Sequence, residues 1–257
     1  METDKTLDAV FIADLHLTAD NAACLELAEK FLTTVAPKAK KLFILGDLVE
    51  YWVGDDAYDG SLDRALAALA SLPGLGTRCY LMHGNRDFLL GEDFARKFNC
   101  ELITADTYSL RTHSSETGSD LLLMHGDTLC TDDTEYQRMR QLLRLDSWQK
   151  EFLALSPEER HTKAQQIRSQ SVAETARKSD EICDVNQQAV IDEMKRHSVT
   201  RLLHGHTHRP DTHTLNIDGK PATRWVLGDW HDTGAVYAAL EGETLELRHW
   251  LPADDRS

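Results

Sequence analysis

Seven side chains able to hold a hard or borderline metal ion stand at five places where a short apolar run stops. Asp14 and His16 close LDAVFIADLH, Asp47 follows KLFILG, Asn85 follows RCYLMHG, His125 follows LLLM, and His206 and His208 follow RLLHG. Asp14 and His16 are two apart on an extended segment, so both can point to one side. Carboxylate, imidazole and amide without thiolate suit manganese, iron or zinc in a reactive site better than a structural zinc cage. With Asp47 shared, two ions about 3.5 to 4 Å apart can activate water and clamp both oxygens of an in-line displacement at phosphorus. A single aspartate after a strand is commonly a turn or a cap, and a single histidine commonly packs in a core. Five clusters at the same kind of position point to one site.

Arg86, beside Asn85 in HGNRDF, narrows the chemistry. A guanidinium stays protonated, so it cannot act as an acid, but it offers a fork of donors to phosphate oxygens. That suits a leaving group that is itself a phosphate and needs charge stabilisation more than a proton. The plain alternative is an ion pair with Asp87. Asp47, Asn85 and Arg86 are the catalytic candidates.

These residues need elements to carry them. The apolar runs are too short for helices and read as strands buried on both faces. Helical patterns over 21–36 and 61–71 lie between the first of them, giving the alternation of an α/β protein. After Pro210 the texture changes to DTHTLNI, ATRWVLGDW, GAVYAAL and ETLELRHW, antiparallel strands that extend or face the first sheet, with turns at 216–220 and 241–242. Residues 132–185 carry no strand signal, and Tyr136, Met139, Leu142, Leu143, Leu145, Trp148 and Phe152 recur at helical spacing. Ser156-Pro157-Glu158-Glu159 supplies an N-cap, a first-turn proline and a glutamate at the third position. The segment reads as a helical insertion between core strands. It holds nine Lys and Arg against eleven Asp and Glu, leaving 19 against 32 for the rest, so a near-neutral insertion sits on an acidic body. Asp55-Asp56 reads as a turn, His83 as a loop support, and His204 as packing behind the ligands.

The totals exclude several classes. A chain of 257 residues, 41% hydrophobic and 28% charged, is expected to be globular, and it contains no apolar run long enough to span a bilayer. A formal charge of -15 argues against nonspecific binding to nucleic acid. Five scattered cysteines without a CxxC pair read as thiols in a reducing compartment. The N-terminus shows no secretory pattern, so a cytoplasmic location is expected.

The order DLH, GDLVE, GNRD, HGD and HGHTH resembles the calcineurin-like metallophosphoesterases, whose pattern is DxH, GDxxD or a variant, GN(H/R)(D/E), a later histidine and GHxH. Longer blocks, among them ILGDLVEYWVGDD, HGNRDFLLG, MHGDTLCTDDTEYQ, DVNQQAV and VLGDWH, are similar to the branch that hydrolyses UDP-2,3-diacylglucosamine in lipid A synthesis, from Val10 to near the C-terminus. That resemblance implies a four-layer α/β/β/α sandwich, with core at 1–131 and 186–257 and a helical cap at 132–185. It implies two Mn2+ ions, one held by Asp14, His16, Asp47 and His208 and the other by Asp47, Asn85, His125 and His206. It implies activated water attacking the uridine-side phosphorus to give UMP and lipid X, with substrate contacts at Asn85, Arg86, Asp133, Ser171, Thr175, Lys178 and His206. Thr175 departs from the asparagine common in relatives. Acyl chains would need an apolar chamber, to which Trp52, Phe88, Leu89, Trp148 and Phe152 can contribute, with Tyr136 and Arg168 nearby. A monomer in peripheral contact with the cytoplasmic face of the inner membrane is expected. A hydrolase for soluble nucleotides and an inactive scaffold of the same fold remain as alternatives.

Overall fold

The computed structural model describes residues 6–112, 120–175, 182–231 and 234–251, the side chains of 170–175 excepted. Strand β1 (Ala9–Ile12) is buried at all four positions. Successive side chains on a strand face opposite ways, so such a strand needs a layer on each side. Val10 and Ile12 face one cluster of core residues and Ala9 and Phe11 another. Leu42 and Ile44 against Phe43 and Leu45 on β2 (Lys41–Leu45) divide in the same way. Strands β1, β2, β3 (Arg78–Met82) and β4 (Cys100–Ile103) run parallel in the order given.

A second sheet lies against the first. It holds β5 (Thr107–Leu110), β6 (Leu121–Met124), β7 (Arg201–His204), β8 (Asp211–Ile217) and β9 (Lys220–Val226), in the order β5-β6-β7-β9-β8. Between the sheets Phe43 stacks on Phe11 at 5.3 Å and on Tyr80 at 4.5 Å, above Leu121, Leu123 and Leu203. Helices α1 (Ala22–Thr34), α2 (Asp63–Ser71) and α3 (Glu92–Lys97) bury Phe31, Leu66 and Phe94 in the core cluster on the outer face of the first sheet. The α7 helix (Gln187–Arg196) sets Val190 and Met194 on Leu122 and Leu202 of the second. The layers are therefore α/β/β/α.

The four C-terminal strands divide between the sheets. The β8–β9 hairpin joins the second sheet, while β10 (Ala235–Glu241) and β11 (Thr244–Trp250) extend the first antiparallel, giving β11-β10-β1-β2-β3-β4. Strands β4 and β5 were not legible in the sequence, because both are half-exposed edges without an apolar run.

Between β6 and α7 the chain forms α4 (Thr134–Leu143), α5 (Asp146–Leu153) and α6 (Pro157–Thr175). At the start of α6 the Ser156 amide donates to Glu159 Oε2 at 2.9 Å, and the Glu159 amide points back to Ser156 Oγ at 3.4 Å, the reciprocal cap that the sequence suggested. These helices lie within residues 132–185 and cover the ends of β3 and β6.

Candidate active site

The ligand candidates stand on the ends of strands from both sheets. Asp14, His16, Asp47 and Asn85 follow β1, β2 and β3, while His125, His206 and His208 follow β6 and β7. The two sheets face each other, so their C-terminal strand ends meet over one hollow.

Backbone strain is concentrated there. Among the described residues eight non-glycines have positive φ, and five of them are Asp14 (56°), His16 (48°), Asp47 (53°), His206 (68°) and His208 (54°). Each left-handed residue costs roughly 1–2 kcal/mol, so a cluster persists only where the surroundings hold it. The restraint is visible: Asp14 N donates to Gly46 O at 3.1 Å, His16 N to Asp47 O at 3.0 Å, and Gly205 N to His125 O at 2.8 Å. Glycines permit the close approach, since a Cβ on Gly84 would lie 2.0 Å from Asp47 Oδ1 and one on Gly205 would lie 2.4 Å from Asp14 Oδ2.

The side chains meet in two overlapping groups. Asp14, His16 and His208 can offer ligand atoms within 4.8 Å of one another, and so can Asp14, Asp47 and His125. Asp47 Oδ2 lies 3.9 Å from His16 Nε2 and 3.7 Å from His125 Nε2, between the groups. Asn85 Oδ1 is 2.8 Å from His125 Nε2 and 2.9 Å from His206 Nδ1, completing the second. Asp14 Oδ1 is buried without a hydrogen-bond partner, and His208 Nε2 lies 3.5 Å from it.

The electrostatics of the hollow favours a cation. Burial pushes the Asp47 carboxyl up from its ordinary range, so its ionised form needs a cation beside it. Burial works against a charge on His208 as well, but Asp14 and Asp229 outweigh it and push the imidazole up to about 10. Two buried carboxylates thus draw positive charge into the space between them. The orphaned Asp14 oxygen, the mixed oxygen and nitrogen donors and this charge demand fit divalent ions.

Sequence reasoning missed the carboxylates that aim the ligands. Glu50, in GDLVE, takes His16 Nδ1 at 2.9 Å through Oε2, and its Oε1 meets Arg168 at 2.7 Å and Arg86 at 3.9 Å. Asp229, in GDWH, lies 3.2 Å from His208 Nδ1. Such outer partners fix the tautomer and orientation of a ligand imidazole. Asp87 is not the partner of Arg86. It is fully buried, and its oxygens accept from Leu48 N and Gly84 N, both at 2.7 Å, tying the β2 and β3 loops together. His83 Nε2 bonds Leu90 O at 2.7 Å, and the buried His204 sits between Gly205 O and Arg224, behind the hollow. Asp55 lies in a short 3-10 turn, as expected of this pair, and also caps α3 through Phe94 N at 2.8 Å, while Asp56 pairs with Arg160 of α6.

The inserted helices are latched next to the hollow. Asp127, two residues after His125, accepts from Tyr136 Oη at 2.8 Å and Arg140 Nε at 2.6 Å, both on α4. Arg144 donates to Gly84 O at 2.9 Å. Under these helices runs an open cleft whose lining includes Asn85, Arg86, Asp133, Tyr136, Arg168 and the five apolar residues Trp52, Phe88, Leu89, Trp148 and Phe152, with Met139, Leu143 and Ile167 added from the cap. Asp133 also caps α4 through Tyr136 N, and Tyr136 lies over the His206 ring at 5.8 Å. Of the remaining predicted contacts, Ser171 and Thr175 lie on α6 but their side chains, like all of Lys178, fall outside the described residues.

A sandwich of two sheets whose strand ends gather carboxylates, imidazoles and an amide defines a class of metal-dependent phosphoester hydrolases. The family model for calcineurin-like phosphoesterases matches residues 8–210, and the chain belongs to that family. Within it, the chain is similar to proteins named UDP-2,3-diacylglucosamine hydrolase. The one from Klebsiella pneumoniae subsp. pneumoniae is 43% identical over 241 residues, covering 94% of this chain and 98% of the relative. That of an Enterobacter species is 44% identical, covering 93% and 97%, and that of Pseudomonas paraeruginosa 43%, covering 89% and 93%.

Proposed function

We propose that this chain hydrolyses the pyrophosphate bond of UDP-2,3-diacylglucosamine, releasing UMP and 2,3-diacylglucosamine 1-phosphate for lipid A synthesis. The observation that carries the reading is the Asn85-Arg86 pair. Asn85 touches His125 and His206 in the ligand cluster, and both residues line the apolar cleft, so one dipeptide joins a phosphate-processing centre to a chamber for acyl chains.

In this reading Asp14, His16, Asp47 and His208 hold one ion and Asp47, Asn85, His125 and His206 the other, two manganese-like ions in all. Bound there, divalent ions supply Lewis acidity and a water of lowered pKa at the uridine-side phosphorus. Arg86 places its fork of donors on the departing sugar phosphate, whose charge grows as the bond breaks. Glu50 orients His16, and Asp229 orients His208. Tyr136 and Asp133 border the sugar-phosphate end of the cleft. The rings of Trp148 and Phe152, stacked at 4.9 Å, and Phe88 beside them form its apolar wall.

The substrate's lipid implies peripheral contact with the cytoplasmic face of the inner membrane. Exposed Met139, Leu142, Leu145 and Leu153 on α4, α5 and the loop joining them support that contact. No helix among the described residues is long and apolar enough to cross a membrane.

The experiment is hydrolysis in oxygen-18 water by the manganese-loaded protein, with UDP-2,3-diacylglucosamine beside UDP-glucose and an aryl phosphodiester. Labelled UMP from the lipid substrate alone is expected. Equal turnover of the soluble compounds would favour a hydrolase for soluble nucleotides, and no turnover with any metal would favour a scaffold.

A further inference from the structure

A second cleft adjoins the first. The two share Tyr51, Trp52, Ala164 and Arg168 in their lining, but only the first contains Asn85 and Arg86. The second begins at Leu17, the residue after His16, and runs between the loops that follow β1 and β2 and the face of α6 that carries His161 and Gln165. Its volume, about 460 Å³, lies within the range of small-molecule sites, roughly 300–1,000 Å³. We infer that this cleft receives the uridine of the substrate, an assignment that rests on the substrate proposed above.

Connectivity gives the first reason. The phosphorus attacked must lie at the ligand cluster, and the lipid-bearing phosphate leaves it past Arg86 into the apolar cleft. The nucleoside, attached to the same phosphorus, must leave the cluster by another side. The second cleft takes in Leu17 to Asp20, the residues that follow His16, and it reaches Arg168, whose partner Glu50 also meets His16, but it contains neither Asn85 nor Arg86.

Chemistry gives the second. The rings of Tyr51 and His161 meet at 89° with centroids 5.8 Å apart, and both are partly exposed, so they form a corner in which a flat base stacks on one ring and meets the edge of the other. The exposed Gln165 carries both donor and acceptor, the complement of the uracil imide edge, where N3–H lies between two carbonyl oxygens. Asp20 and Asp59 supply carboxylates suited to ribose hydroxyl donors. The charged lining is Asp20, Asp59, Arg168 and His161, too poor in cations for a second phosphate and suited to a neutral nucleoside.

The test is hydrogen exchange on the manganese-loaded full chain with UMP, with inorganic phosphate, or with 2,3-diacylglucosamine 1-phosphate. UMP, but not phosphate, is expected to slow exchange in residues 17–20, 58–61 and 161–165, while the lipid product slows residues 139–152. Tyr51→Ala should weaken UMP binding about tenfold, as loss of a stacking ring does, and the exposed Gln165→Ala roughly threefold, as loss of one hydrogen bond does. Unchanged melting temperatures would show that both variants are folded. Protection by UMP no wider than that by phosphate, or unchanged UMP affinity in both variants, would overturn the assignment and leave the substrate reading standing if the lipid product still protects its cleft. Protection by neither product would overturn both.

Discussion

Asp14 and Asp47 are 0% and 2% exposed, and such carboxylates can share one hollow only if a cation or a proton offsets their repulsion. Their geometry depends on neighbours with no place in the reaction. Glu50 fixes His16 through a 2.9 Å contact, so Glu50→Gln should lower manganese affinity about 10- to 100-fold. Calorimetric titration with metal would measure that loss directly, and unchanged affinity would remove Glu50 from the orienting role. Gly84 has no room for a side chain against Asp47. Gly84→Ala should therefore destabilise the fold by about 1–3 kcal/mol, read from urea unfolding, with activity lost in the protein that remains folded.

At the scale of elements, the connection between α4 and the core is polar. Asp127 is held well below the usual carboxylate range, because His125 and Arg140 outweigh the opposing effect of its burial. Tyr136 and Arg140 reach it from the inserted helix, and Arg140 is also paired with Asp106. Removing one partner strands buried charge, so Asp127→Ala should cost about 3 kcal/mol or more. Amide exchange should accelerate through residues 134–143 first, before the sheets respond. A second foot is Arg160 on α6, which is 1% exposed and donates to Val53 O at 2.6 Å and to Asp56. Both feet stand beside the cleft, so the helices that form its roof are fixed to the same loops that carry the ligands.

For the whole molecule, strained loops from two sheets and unpaired negative charge make the metal centre a shared fastening. Ions that bind the folded state alone stabilise it by mass action, about 2.7 kcal/mol at a hundredfold excess over Kd for one site. For a chain of this size that corresponds to a rise in melting temperature of roughly 5–10 °C. Scanning calorimetry with manganese, and again after chelation, would measure it, and identical transitions would argue against binding at the strand ends.

The sequence by itself determined the strands buried on both faces, since AVFIA, LFIL and LLLM are apolar at every position and allow no exposed side. It also determined the helical texture of residues 132–185 and the seven ligand candidates, because each follows a strand that ends abruptly. Tertiary structure alone decided that these ends come from two sheets, since nothing local tells which sheet a strand joins. It decided as well that Glu50, Asp127 and Asp229 face inward and that Arg86 turns to Glu50 and not to Asp87. A charged residue after a strand reads alike whether it meets water or an imidazole. Only the approach of distant segments, 192 positions apart for His16 and His208, makes that difference.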